Sequence, residues 1–124
     1  MESNNSKQNT RQKGKESETL AIKYLEEKGF IIIKQNFTFG RIGEIDIVAE
    51  DGATLVFVEV KSTKTTLYGN PLEYITPKKQ ANLRRVAEGY LYVNKINDKP
   101  CRFDVITIDY TKKEPEILHL IQAM

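Results

Sequence analysis

The chain has 124 residues, 40% of them hydrophobic, enough for one domain with one core and too few for two ordinary ones. A formal net charge of +2 excludes strong nonspecific polyanion binding by global charge, so any nucleic-acid contact must come from a local patch. A single cysteine, Cys101, excludes an internal disulfide and, with His119, falls short of the usual four-ligand zinc set; without a secretory or long apolar run the chain is expected to be cytoplasmic, with no membrane partner.

Residues 1–13 are rich in Ser, Asn, Gln and Lys without an apolar period, which predicts a flexible, mildly basic tail ahead of one domain, residues 14–124. A helix is predicted from about Gly14 to Lys28, because Leu20, Tyr24 and Leu25 form an apolar stripe and Gly29 stands where a C-terminal cap belongs. Phe30 to Lys34 is rich in β-branched residues and reads as a strand, with Asn36 to Gly40 as its end and a turn. Two more strands follow as a hairpin around Asp51-Gly52. Ser62 to Thr76 has no clear period and reads as a long loop, a length at which loops are often functional. Thr76-Pro77 is an N-cap with proline at the first helical position, and Leu83, Val86, Ala87, Tyr90 and Leu91 extend a helical stripe to about Val93. Arg102 to Asp109 alternates as a strand, and Ile117 to Ile121 is a short last one.

The hairpin carries the chemistry. Gly43-Glu44-Ile45-Asp46-Ile47-Val48-Ala49 and Leu55-Val56-Phe57-Val58-Glu59-Val60-Lys61 plant acids and a lysine in apolar β-runs, where buried charge is costly. With Asp51-Gly52 as the turn, Asp46 is expected opposite Phe57 and diagonal to Glu59, so that Glu44, Asp46, Glu59 and Lys61 share one face. Converging carboxylates beside an ammonium group suit a hard divalent cation. The alternative is a solvent-facing ion pair of Glu59 with Lys61, which leaves Asp46 and Glu18 unexplained. On the second helix Lys78, Lys79, Arg84 and Arg85 are either a solvated face or a phosphate-contacting patch. Elsewhere the bland readings are preferred: Arg102 and Asp104 as a surface pair, Tyr24, Tyr90 and Tyr92 as packing residues, His119 as a core or edge histidine, and Cys101 as an inert thiol.

These residues and the order of elements resemble the PD-(D/E)xK nuclease superfamily, and more closely its YraN-like family of uncharacterised bacterial proteins, similar in fold to Holliday-junction resolvases. Glu59-Val60-Lys61 is the E-x-K half, and Asp46 matches the first aspartate with Ile45 in place of the proline. Gly69-Asn70-Pro71-Leu72-Glu73, Lys79 and Arg102-Phe103-Asp104-Val105-Ile106 also match the YraN-like pattern, over a span from about Gly14 to the C terminus. Ser17 stands where the family often has glycine. Thr63 stands where a basic residue often follows E-x-K, which leaves Lys64 to supply that phosphate contact.

The resemblance implies an α/β fold: a restriction-endonuclease-like mixed β-sheet flanked by helices, with core order αβββαβ. It implies a metal-dependent endonuclease hydrolysing DNA phosphodiester bonds, with branched or structured DNA as the substrate and a homodimer as the form that cuts two strands. Asp46, Glu59 and the Val60 backbone carbonyl would bind Mg²⁺ or Mn²⁺, Glu18 would join through a water from the first helix, and Lys61 would orient the attacking water or steady the transition state. Glu44 takes a supporting role, and Gln80 compares with a polar helix residue near the site in some superfamily members. Lys78 or Lys79 would add charge to the positive end of its helix. The alternative function is a noncatalytic nucleic-acid-binding or protein-interaction module on the same fold.

Overall fold

A computed structural model describes residues 2–63 and 75–124, with side chains from residue 14 onward. The elements are α1 (Glu2–Glu27), β1 (Ile31–Phe39), β2 (Gly43–Asp51), β3 (Thr54–Thr63), α2 (Pro77–Val93), β4 (Cys101–Asp109) and β5 (Glu116–Leu120). The expected order αβββαβ is present, with β5 added at its end. One five-stranded sheet runs in the order β1-β2-β3-β4-β5, and only the β3–β4 pair, bridged by α2, is parallel. This is the mixed sheet flanked by helices that the sequence predicts.

Helix α1 begins at Glu2, whereas the sequence predicts a tail through Lys13. That segment holds no proline or glycine, and Glu2, Lys7, Gln8, Arg11, Gln12 and Lys13 are good helix formers, so the helix can continue upstream of the packed stripe. The stripe itself is Ser17, Ala21 and Leu25, buried at i, i+4 and i+8 against the sheet. Gly29 ends the helix as foreseen. Its φ of 94° lets the Gly29 N–H reach the Glu26 carbonyl and the Phe30 N–H reach that of Leu25, a Schellman closure with Phe30 buried beneath it.

Two apolar layers flank the sheet. Ala21 and Leu25 of α1 pack on Ile47, Ala49, Val56, Val58, Ile106 and Ile108, while Leu83, Val86, Ala87 and Tyr90 of α2 pack on Ile45, Val48, Leu55 and Phe57. β3 is paired on both sides and covered on both faces, which is why Leu55 to Val58 reads as an unbroken apolar run. The α2 cap is the one expected: the Thr76 side chain accepts from the Lys79 N–H and Pro77 opens the helix. At Gly89, α2 comes so close to β1 that an added Cβ would lie 2.4 Å from the Phe39 ring. Among the described residues no helix is long and apolar enough to cross a membrane.

Two local differences matter for the site. The hairpin turn is Gly52-Ala53, since Asp51 pairs with Thr54, and Gly52 has φ 59° at the first central position, the residue a type II′ turn requires there. The register therefore moves by two residues, which preserves faces but places Asp46, one step beyond the Ile47–Val58 pair, opposite Glu59 rather than Phe57. The second difference is in β1, which continues through Asn36 to Phe39 instead of ending there; Asn36 bends it with φ 54°.

Candidate metal centre

The site lies where β2 and β3 part. Their pairing runs only from Asp51–Thr54 to Ile47–Val58, while β1 stays paired with β2 as far as Gly43 and β3 with β4 as far as Thr63. Ile45 and Ile47, two residues apart and thus on one face of a regular strand, sit in different cores, Ile45 under α2 and Ile47 under α1. The strand therefore turns over at Asp46. In the gap, the Val60 N–H donates to Asp46 Oδ2 at 2.8 Å, so a side chain takes a backbone donor at the fork.

Glu18 of α1 and Glu44 and Asp46 of β2 bring carboxylate oxygens within 4.8 Å of one another. Glu44, read from the sequence as a supporting residue, belongs to this group. Burial, then the charge of Glu59, pushes the Asp46 pKa up to about 8, against the hydrogen bond from Val60. Burial also raises the pKa of Glu18, opposed by a hydrogen bond from Asn36 and reinforced by Glu44 and Glu59. A site that resists holding its own negative charges lacks the positive charge that a divalent cation supplies.

Glu59 meets the site differently from expectation. Its side chain is 9% exposed, and Oε1 pairs with Lys79 Nζ at 3.0 Å; Oε2 is buried without a hydrogen-bond partner among the described residues. Such an orphaned oxygen costs desolvation with no return, and a cation ligand is the partner it lacks. The donor set of three clustered carboxylates and this fourth oxygen thus fits a hard cation. Lys61, two residues on, is exposed; it is not the partner of Glu59, which rules out the simple ion pair weighed from the sequence.

The basic residues of α2 are not one patch. With about 100° per residue, Lys78 and Arg85 share a stripe, Arg84 points well away from it, and Lys79 leads the sheet-facing stripe of Leu83, Val86 and Tyr90. That period was visible in the sequence and marks Lys79 as the one that turns inward. Lys78, Lys79, Thr76, Asn82, Ile42 and Glu44 border a cavity of about 290 Å³ beside the acidic group. Gln80 donates to the Ile75 carbonyl at 3.1 Å and so anchors the start of α2. Lys64 and the Gly69–Glu73 motif lie outside the described residues, as does most of the predicted loop.

A second polar cluster corrects another reading. Asp104 is fully buried, not a surface residue: it accepts from Arg102 Nε at 3.0 Å and from the Gln122 N–H at 3.0 Å, and lies 2.8 Å from His119 Nε2. Burial works against its charge, but the hydrogen bonds from His119, Arg102 and Gln122 hold its pKa below the usual carboxylate value. An ionised Asp104 only accepts, so His119 donates to it from Nε2, while the His119 Nδ1 lies 3.2 Å from the Tyr24 hydroxyl. His119 is thus a satisfied core histidine, and Tyr24 and Tyr90 pack as expected, but Tyr92 is 81% exposed.

Comparison with known proteins places the chain at the level of family. A UPF0102 protein of Acetivibrio thermocellus is 40% identical over 111 residues, covering 90% of this chain and 85% of its own. One from Dehalococcoides mccartyi is 39% identical over 109 residues, 88% of this chain and 89% of its own, and one from Persephonella marina is 47% identical over 96 residues, 77% and 82%. Residues 17–108, which carry Glu18, the hairpin and α2, match the family described as Uncharacterised protein family UPF0102, and the chain belongs to that family.

Proposed function

We propose that the protein is a metal-dependent endonuclease that hydrolyses DNA phosphodiester bonds, with branched or structured DNA as its substrate. The observation that carries this reading is the fork: Glu18, Glu44 and Asp46 converge there, and Glu59 adds a buried oxygen without a partner among the described residues. Asp46, Glu44 and Glu18 would hold Mg²⁺ or Mn²⁺, with Glu59 and the Val60 carbonyl at its edge. When bound, such a cation lowers the pKa of water and offsets charge on phosphate oxygens. Val60 fixes Asp46 through its N–H, so the carboxylate is oriented before any ligand arrives. Lys61 is exposed at the open side of the fork, where its ammonium group can steady the negative charge that builds during phosphoryl transfer. Lys78, beside the cavity, and Arg85 on the same stripe would hold the backbone phosphates of the substrate.

Cleavage of a labelled four-way junction tests this, with duplex and single-stranded DNA alongside, in Mg²⁺, Mn²⁺ and EDTA. Product that needs metal and falls about 100-fold or more in Lys61→Ala is the expected result. Salt-sensitive binding with no product on any of these DNAs, unchanged by metal or by Asp46→Asn, would replace the enzyme with a noncatalytic binding module.

A further inference from the structure

We propose that Lys79 is a resident counter-ion: it holds the cation's place on Glu59 in the metal-free protein, and leaves for the neighbouring cavity when a divalent cation takes that carboxylate. This inference rests on the metal centre proposed above and adds how that centre is kept and opened.

Glu59 is the starting point. A carboxylate this buried needs positive charge nearby, and among the described residues that charge comes from Lys79, 3.0 Å from Oε1. The other oxygen has no hydrogen-bond partner among the described residues, so Lys79 half-satisfies a group built to take more. Glu18, Glu44 and Asp46 close on one another within 4.8 Å without Glu59, although its charge is felt by both Asp46 and Glu18. The fourth acid is therefore near enough to act on the cluster while its Oε1 is turned to a lysine of α2.

Lys79 is also placed to let go. Its side chain is 48% exposed, and it borders the 290 Å³ cavity with Lys78, Thr76 and Asn82, so its ammonium has space beside Glu59 into which it can turn. A lysine is a compact charge on a stem of four rotatable carbons, and it can move by several ångströms without disturbing the Thr76 cap that holds its own N–H. The exchange replaces an ammonium of charge +1 by a cation of charge +2, so Glu59 keeps a positive partner throughout and the acid-rich fork gains one positive charge. The displaced ammonium joins Lys78 at the cavity, where a phosphate would meet two lysines instead of one. Metal loading and phosphate affinity are then linked through one side chain.

The test is the affinity of the full chain for Mn²⁺, measured by calorimetric titration for the unmodified protein, Lys79→Met, Glu59→Gln and the double variant, with Lys79→Gln as a second replacement and near-ultraviolet circular dichroism to verify folding. Lys79→Met is expected to bind Mn²⁺ about 5–10-fold more tightly, and the gain should shrink below about 2-fold in the Glu59→Gln background, because competition through one carboxylate disappears with it. Unchanged or weaker binding in both Lys79 replacements overturns the inference and leaves the metal centre standing. An equal gain in both backgrounds also overturns it, since that is through-space repulsion alone. Binding seen only after Lys79 is replaced supports it in its strongest form, and no binding by any of the proteins removes the metal centre and this inference together.

Discussion

Replacing Asp46 by asparagine should stabilise the metal-free protein at neutral pH, the opposite of what losing a buried hydrogen-bonding residue usually does. The Asp46 pKa stands at about 8 in the folded chain against an ordinary 3.8, so between those values the folded state binds more protons than the unfolded one. Stability must then fall as pH rises through that window, with Asp46's contribution fully present at acid pH and lost by about pH 8. At about 1.4 kcal/mol per pH decade, a lone carboxyl with these values would cost roughly 5 kcal/mol at pH 7.5. Part of that cost belongs to Glu59, whose charge is the second cause of the shift and remains in the variant. Asparagine also keeps an acceptor for the Val60 N–H, though a weaker one than a carboxylate. A net gain of about 2 kcal/mol at pH 7.5 is therefore expected, shrinking towards zero near pH 4. Urea unfolding of both proteins in EDTA across pH 4–8 reads it directly. Comparing the two cancels every other titrating group, so the difference curve reports Asp46 and the neighbours it acts on. A variant less stable at pH 7.5, or a difference that does not grow with pH, would mean that Asp46 carries its charge comfortably and that the fork does not press its acids together.

Saturating Mn²⁺ should reverse the ranking, adding about 2.7 kcal/mol to the unmodified protein at a hundred times its Kd and much less to Asp46→Asn, as urea midpoints with and without metal will show. Asp104→Ala should cost about 3–5 kcal/mol by urea unfolding, because Arg102, His119 and the Gln122 N–H lose their common partner in a fully buried position. Its pH dependence has the opposite sign to that of Asp46: the lowered Asp104 pKa contributes stability above its ordinary value of 3.8, lost as pH falls through the folded value, so the deficit of the variant should narrow in acid. Gly89→Ala should cost about 1–3 kcal/mol in the same assay, since the new Cβ meets the Phe39 ring at 2.4 Å, and less in a Phe39→Leu background where that ring is gone. Thr76→Ala should cost about 1 kcal/mol through loss of the cap on the Lys79 N–H.

The parts of this protein that were legible in the sequence are those whose causes are local. Gly29 after an apolar stripe and Thr76-Pro77 before one are signals read within a few residues, and both helix ends stand where they place them. The acidic hairpin was legible for a similar reason: charge inside an apolar β-run contrasts with its own neighbours. What escaped depends on geometry that accumulates over a strand pair. A turn on Gly52-Ala53 instead of Asp51-Gly52 keeps every face yet changes every partner, and it is this shift that sets Asp46 against Glu59.

The composition of the site follows from a bend that no spacing rule contains. Strict alternation would put Asp46 on the same face as Val48 and Phe57, under α2 and away from α1. The overturn of β2 between Ile45 and Ile47, alongside the left-handed Asn36 of β1, instead brings Asp46 together with Glu18 of α1 and leaves Glu59 for Lys79 of α2. The sheet thereby sorts its own three acids between two helices, Glu44 and Asp46 beside Glu18 of α1 and Glu59 against Lys79 of α2. A cation that gathered all four carboxylates would tie α1 to the fork and release Lys79 of α2, which is why metal affinity, the Lys79–Glu59 pair and the pH dependence of stability should all respond to Asp46.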